Sequence, residues 1–281
     1  MSENGSEERA YWDRRAEAWE RRVETLSAFS DAYGVPAMDA LRVRPGERVL
    51  DIGCGPGTTS IDLAARVAPG GEVTGVDISP AMVAAATRRS TALGAHSVRF
   101  VTADAQTDDL GTELDATYSR FGVMFFSDPV AAFANIGRSL RAGGRLACAV
   151  WGQLADNPWM FVPTLAAASV LNAELTLPGP NQPGPFSLAD PEHVTAVLSG
   201  AGFVDFGIER VEGTRAITDA SALDEVRTLL EIGPLGDAYN TSDESARQAA
   251  AEAVLAAIEP YRVDDGWQLP GVSLTITAHR P

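Results

Sequence analysis

One segment restricts this chain more than any other: VLDIGCGPGTTS, residues 49–60. Val49 and Leu50 read as the end of a strand, and glycines follow at 53, 55 and 57. Ile61, Ala64, Ala65 and Ala68 then recur at helical spacing. A strand that runs into Gly53-x-Gly55-x-Gly57 and then a helix brings backbone close to a ligand. Glycine removes the Cβ that would clash, and a helix start offers free N–H groups and the positive end of its dipole.

The segments downstream keep the same rhythm. Glu72–Val76 reads as a short buried strand, and Ser79-Pro80 as the N-cap and first position of a helix to about Leu93. Val98–Val101 and Ala116–Ser119 are further strands. Residues 129–140 form an amphipathic helix, 141–144 a turn, and 145–151 an apolar strand. Strand–helix alternation of this kind predicts a doubly wound α/β fold: a mostly parallel, seven-stranded, Rossmann-like sheet with helices on both faces.

The flanks are looser. Residues 1–8 are polar and read as frayed, 9–30 as a helix, and 34–46 as a short helix and a turn. After Trp151 come a helix at 157–171, a Pro/Gly-rich loop at 177–186, a helix at 190–200 and a strand at 203–211. Helices at 221–232 and 242–258 and a final strand at 267–278, broken at Pro270-Gly271, complete the chain. This gives an N-terminal helical lid segment, 1–35, and one domain, 36–281. Insertions at 152–188 and 213–265 fall after strands, where an open α/β sheet binds ligands, and read as a lid over an acceptor site.

The bulk numbers exclude several classes. Net charge is −16, which repels nucleic acid. The cations are all Arg and none is Lys, so there is no Schiff-base lysine and no P-loop lysine. Cys54 and Cys148 make neither a CxxC pair nor a zinc spacing, so no metal is expected. The polar start and the lack of an 18-residue apolar run make the cytoplasm the default, with a monomer or homodimer expected.

Three acids qualify the glycine turn. Asp51 beside it would repel a pyrophosphate and suit a ligand that carries an ammonium group. Asp77, in GVDIS, closes the next strand, 20 residues after Gly57, where a carboxylate can accept from both ribose hydroxyls. NAD sites use the same contact, so Asp77 alone does not separate the cofactors. Asp104, in TADA, ends the third strand and is placed to accept from an adenine amino group, with the Ala105 N–H beside it.

Together VLDIGCGPG, GVDISPAMV, VRFVTADAQ, YSRFGVMFF and LRAGGRLACAVWG resemble the class I S-adenosylmethionine-dependent methyltransferases. The likeness is strongest to the ubiquinone/menaquinone-type and secondary-metabolite enzymes, and it covers roughly residues 46–152. It implies S-adenosylmethionine as cofactor and a small, apolar or aromatic acceptor methylated at O, N or C. The resemblance places Gly53, Cys54, Gly55 and Gly57 around the methionine part and Asp51 near its amino group. Asp77 would bind the ribose, Ile78 and Met82 would pack on the adenine, and Asp104 and Ala105 would fix its edge. Ser119 would line the methionine side, and Tyr11, which with Trp19 also reads as a staple for the N-terminal helix, would close over the cofactor.

For the acceptor, Phe121 and Trp151 read as pocket walls, and Asn157 and Trp159 as the start of the lid. Glu231 reads as either a pocket or a solvated charge, and Arg120 as an anion anchor or a loop cap. No residue identifies itself as a catalytic base. Methyl transfer asks mainly for alignment and exclusion of water. The competing readings are a cofactor-binding scaffold or non-methylating catalyst, and an NAD-dependent oxidoreductase. GxGxG in place of GxGxxG counts against the last.

Overall fold

The computed structural model describes residues 3–175, 179 and 181–281; for residues 3 and 4 only the backbone is described. Of the expected loop at 177–186, residues 177, 178 and 180 lie outside this set.

The chain opens with two helices, α1 (Glu3–Arg21) and α2 (Val23–Ala40). The alternation follows: β1 (Arg48–Ile52), α3 (Thr58–Arg66), β2 (Glu72–Asp77), α4 (Pro80–Ala92), β3 (Val98–Thr102), β4 (Leu114–Arg120), α5 (Pro129–Ser139) and β5 (Leu140–Trp151). Next come α6 (Pro158–Leu171), α7 (Pro191–Gly200), β6 (Val204–Thr218), α8 (Ala222–Ile232), α9 (Gly236–Thr241) and α10 (Glu244–Ala257). The strands β7 (Arg262–Val263) and β8 (Gly266–His279) end the chain.

The sheet runs β3-β2-β1-β4-β5-β8-β6, with β7 paired on β8. The pairings from β3 to β5 are parallel, and β8 is antiparallel to β5. The expected doubly wound, mostly parallel α/β fold is thus present. Strand order reverses at β1, which puts the switch point between β1 and β4, where such sheets bind ligands. Central strands covered on both faces need apolar residues throughout. Accordingly Val49, Leu50 and Ile52 of β1 are buried, and Val49 packs with Leu63 and Val67 around α3 and with Met38 and Leu41 at the end of α2.

Helix starts follow local chemistry. Ser79 Oγ accepts from the Met82 N–H at 3.1 Å, and Asp128 and Asp190 cap α5 and α7 in the same way, each followed by proline.

The chain divides into two compact units. The first holds 1–152, 180–211 and 273–281; the second holds 153–179 and 212–272. Within the second unit α6 and α8 pack on α10, through small buried positions such as Ala167, Ala250 and Ala251. The Arg215 guanidinium, almost fully buried, is paired with Glu225 at 2.7 Å.

Several expected boundaries are corrected. α1 begins at Glu3, so helix rather than fraying starts there, and the helix expected at 9–30 is broken at Arg22, outside helical geometry at φ −104°, ψ 11°. α2 then runs through Pro36. The turn at 141–144 is part of β5, β6 extends to Thr218, and β8 is unbroken at Pro270-Gly271. α9 was not expected. Proline and glycine weaken a strand most where a ladder bond is needed, and β8 carries them where it has passed beyond β5, whose pairing with it stops at Ser273. Among the described residues no helix is long and apolar enough to cross a membrane.

Candidate functional site

The glycine turn forms because its backbone must reverse in little space. Gly53, Gly55 and Gly57 all have positive φ, at +65°, +52° and +85°. Gly53 also lies against the loop after β4: a Cβ on it would sit 2.6 Å from the Cα of Gly122. Ser119, at the end of β4, locks the same contact. Its hydroxyl donates to the Ile52 carbonyl at 2.7 Å and accepts from the Gly122 N–H at 3.2 Å. Ser119 is fully buried, so in this structure its hydroxyl staples two loops together. A Cβ on Gly55, by contrast, would meet nothing within 4 Å.

Asp51 lies beneath the turn, fully buried. Its Oδ2 accepts from the hydroxyls of Thr59 and Ser60 at 2.7 and 2.6 Å, while Oδ1 is buried with no partner. Burial pushes its carboxyl up to about 6, against the pull of those hydroxyls and of Arg120.

Asp77 closes β2 with its carboxylate turned back to the turn. Oδ2 accepts from the Gly55 N–H and Oδ1 from the Ser79 N–H, both at 2.9 Å. Each oxygen keeps a further lone pair for a ligand. Burial raises this carboxyl to about 6, opposed by the two N–H bonds. Ile78 is half-buried beside it, and Met82 is buried in α4.

Asp104 follows β3. Its oxygens hold the Gln106 N–H at 2.9 Å and the Thr107 hydroxyl at 3.2 Å. Ala105 is buried, and its carbonyl accepts from Asn135 at 2.9 Å, while its N–H makes no hydrogen bond among the described residues. A buried donor without a partner is rare, and here it lies beside a carboxylate with accepting capacity to spare. Donor and acceptor side by side suit the edge of an adenine. Cys54 is free and buried, and burial with Asp77 and Asp51 nearby holds its thiol well above the usual range, so it packs and does not react.

α1 adds residues that the motifs did not reveal. Arg9 Nε donates to the Ile78 carbonyl at 3.1 Å, and Asp13 accepts from the Ser79 hydroxyl and the Ala81 N–H. Trp12 donates to Glu8 at 3.0 Å and meets Phe125 edge-on at 5.2 Å. Burial, with Asp104 and Asp77 nearby, raises the Glu8 carboxyl to about 7. The i,i+4 spacing of Glu8 and Trp12 on a helix was the available sequence signal. Tyr11 lies edge-on to Trp12 and under the Arg15 guanidinium, 3.7 Å from its ring centroid, and Trp19 packs on Trp12.

Beyond β4 and β5 stands an aromatic stack. Phe121 and Trp151 lie face to face, with centroids 4.0 Å apart and planes within 7°, flanked by Phe29 and Tyr33 of α2. Phe121 is held at φ +63°, a costly conformation for a bulky residue. Arg120 is paired with Asp31 of α2 and donates to Thr58 at 2.9 Å, so it acts as a clamp on the start of α3 and not as an anion anchor.

In the second unit, Asn157 is fully buried with every amide group engaged. It donates to Gln153 and Val272 carbonyls and accepts from the Val272 N–H and from Trp159 Nε1, all within 3.1 Å. That role is structural, and no hydrogen-bonding capacity is left on it for an acceptor. Trp159 is buried with it, and Glu231 is half-buried on α8. Among the described residues no group of three or more His, Cys, Asp or Glu could hold a metal ion.

Comparison with known proteins matches this geometry. Residues 49–144 fit the model of the methyltransferase domain family.

Residues 49–144 are similar to a methyltransferase domain.

An aklanonic acid methyltransferase of Streptomyces sp. (strain C5) is 37% identical over 103 residues, 36% of this chain and 47% of that one. A demethylmenaquinone methyltransferase of Beutenbergia cavernae is 39% identical over 123 residues, covering 43% and 47%. The chain spans about half the length of these relatives. The crystal structure of YcgJ from Bacillus subtilis covers 89% of this chain and 97% of its own, with a TM-score of 0.57 at 18% identity, which shows a shared fold. The resemblance read from the sequence is borne out, and the methyltransferase domain carries the glycine turn, Asp77 and Asp104.

Proposed function

We propose that this protein binds S-adenosylmethionine and transfers its methyl group to a small apolar or aromatic acceptor. The observation that carries the reading is the buried Asp77 carboxylate at the end of β2, bonded to the Gly55 N–H across the glycine turn. Both of its oxygens keep accepting capacity for a ligand.

The residues present fit this cofactor. Asp77 would hold the ribose hydroxyls. Asp104 and the unpartnered Ala105 N–H would hold the adenine edge, with Ile78 and Met82 against its face. Gly53, Cys54, Gly55 and Gly57 would cradle the methionine part, close to the Ser119 staple and beneath Tyr11. The orphaned Oδ1 of Asp51 suits a nearby ammonium group. When bound, S-adenosylmethionine supplies a methyl group already activated by its sulfonium. The chain's part is to position and to exclude water, and its buried loops and aromatic stack serve both.

Phe121 and Trp151 form the apolar wall that supports a flat acceptor. The relatives named for aklanonic acid and demethylmenaquinone support a small-molecule acceptor. The net charge of −16 disfavours nucleic acid, and two free, buried cysteines fit a reducing cytoplasm. The test is transfer of isotopically labelled methyl from S-adenosylmethionine to a panel of aromatic and apolar acceptors, with S-adenosylhomocysteine measured in parallel. Labelled product with equimolar S-adenosylhomocysteine is expected. Tight cofactor binding with no transfer to any acceptor would favour a non-methylating role.

A further inference from the structure

Glu8 lies outside every motif of the methyltransferase domain, yet α1 fixes it over the proposed adenosine end of the site. The helix is anchored on both sides of it. Arg9 reaches the Ile78 carbonyl at 3.1 Å, Asp13 holds Ser79 and Ala81 at the start of α4, and Trp12 packs on Phe125 after β4. These anchors hold the backbone of Glu8 against the start of α4, and Trp12 holds its carboxyl. Arg9 and Asp13 bring this turn of α1 onto Ile78, Ser79 and Ala81, which follow Asp77, and the Glu8 carboxyl feels the charges of Asp77 from β2 and Asp104 from the loop after β3. Arg9 is turned to the Ile78 carbonyl, and Arg15 lies over the Tyr11 ring. Trp12 Nε1 provides one hydrogen bond to Glu8. Acceptors gathered in this way are stabilised by a ligand edge rich in donors, and the buried, unpartnered Ala105 N–H beside Asp104 is independently suited to a ligand.

We infer that Glu8 is a third acceptor for the adenosine part of the cofactor, taking a hydrogen bond from its polar hydrogens and so coupling the docking of α1 to cofactor occupancy. The inference rests on the cofactor site proposed above. The ionised carboxylate accepts more strongly than the protonated acid. In the free protein, burial and the two neighbouring acids hold Glu8 at about 7, so it is largely protonated below neutrality. Ligand donors stabilise the anion. Binding therefore releases a proton, and affinity falls as pH falls through 7.

The probe is S-adenosylhomocysteine, titrated calorimetrically at pH 6 and pH 8, at each pH in two buffers of different ionisation enthalpy. If Glu8 is fully ionised in the complex, linkage weakens binding by wild type about tenfold at pH 6 relative to pH 8 through Glu8, and about twofold more through Asp77. Glu8→Gln keeps only the Asp77 part, about twofold, and loses most of the proton release. Equal pH dependence and equal proton release in wild type and Glu8→Gln would overturn the role of Glu8 and leave the cofactor site standing. Failure of wild type to bind at either pH would overturn both.

Discussion

Two glycines two residues apart in the same turn answer to different constraints. Gly53 is packed backbone to backbone on Gly122, so Gly53→Ala combines a positive φ with a Cβ 2.6 Å from a backbone atom that has no room to move. Gly55→Ala meets only open space and incurs the φ cost alone, roughly 1 kcal/mol. The first substitution is expected to lower stability by more than about 2 kcal/mol in urea denaturation. The second should leave the fold nearly intact and weaken S-adenosylmethionine binding at least tenfold, because its methyl enters the space kept for the ligand.

Asp51 gives a pH test at the same scale. Its folded value, about 6, lies above the ordinary carboxylate value, so its contribution to stability is present below about pH 4 and is lost as pH rises through 6. Asp51→Asn removes that dependence. The difference in unfolding free energy between the two proteins should move in favour of the variant by about 2.4 kcal/mol between pH 4 and pH 7. A flat difference would mean that Asp51 is not buried as an ion. Gly53, Asp77 and Asp104 could be read from sequence because their chemistry is local to a strand end. Glu8 could not be read in the same way, because its neighbours come from β2 and the β3 loop, far along the chain.

Elements were readable where a cap marked them. α4, α5 and α7 start at the residue expected or next to it, since Ser or Asp followed by Pro satisfies free N–H groups wherever it stands. The N-terminal helices were less clear. No cap marks the break at Arg22, and Pro36 lies inside α2. What holds α1 in place is tertiary: Asp13 accepts from Ser79 and Ala81 at the start of α4, and an exposed pair from Arg88 to Glu20 lies further along, while Arg89 pairs with Glu24 of α2. Exposed pairs contribute little. Asp13→Ala should therefore loosen α1 by about 1–2 kcal/mol, seen as faster hydrogen exchange over residues 5–21, with the core of the sheet unchanged.

For the molecule as a whole, the division at 152/153 matters most. The methyltransferase domain and its glycine turn belong to one compact unit, and Asn157 with all its partners belongs to the other. Asn157→Ala strands buried groups of Val272, Gln153 and Trp159 and should cost about 3 kcal/mol or more. Because those partners all lie in the second unit, affinity for S-adenosylhomocysteine should stay within about twofold of wild type. The doubly wound, mostly parallel sheet followed from strand–helix alternation. The second unit was less readable, because its helices pack through small residues on one another and carry no ligand motif.

The central claim is that Asp77 and the glycine turn hold S-adenosylmethionine. Calorimetric titration with S-adenosylmethionine, S-adenosylhomocysteine and NADH, on wild type and Asp77→Ala, tests it most directly. Micromolar binding of both sulfur ligands is predicted, weakened at least tenfold by the substitution, with no uptake of NADH. Binding of NADH alone, or sulfur-ligand binding indifferent to Asp77, would contradict it.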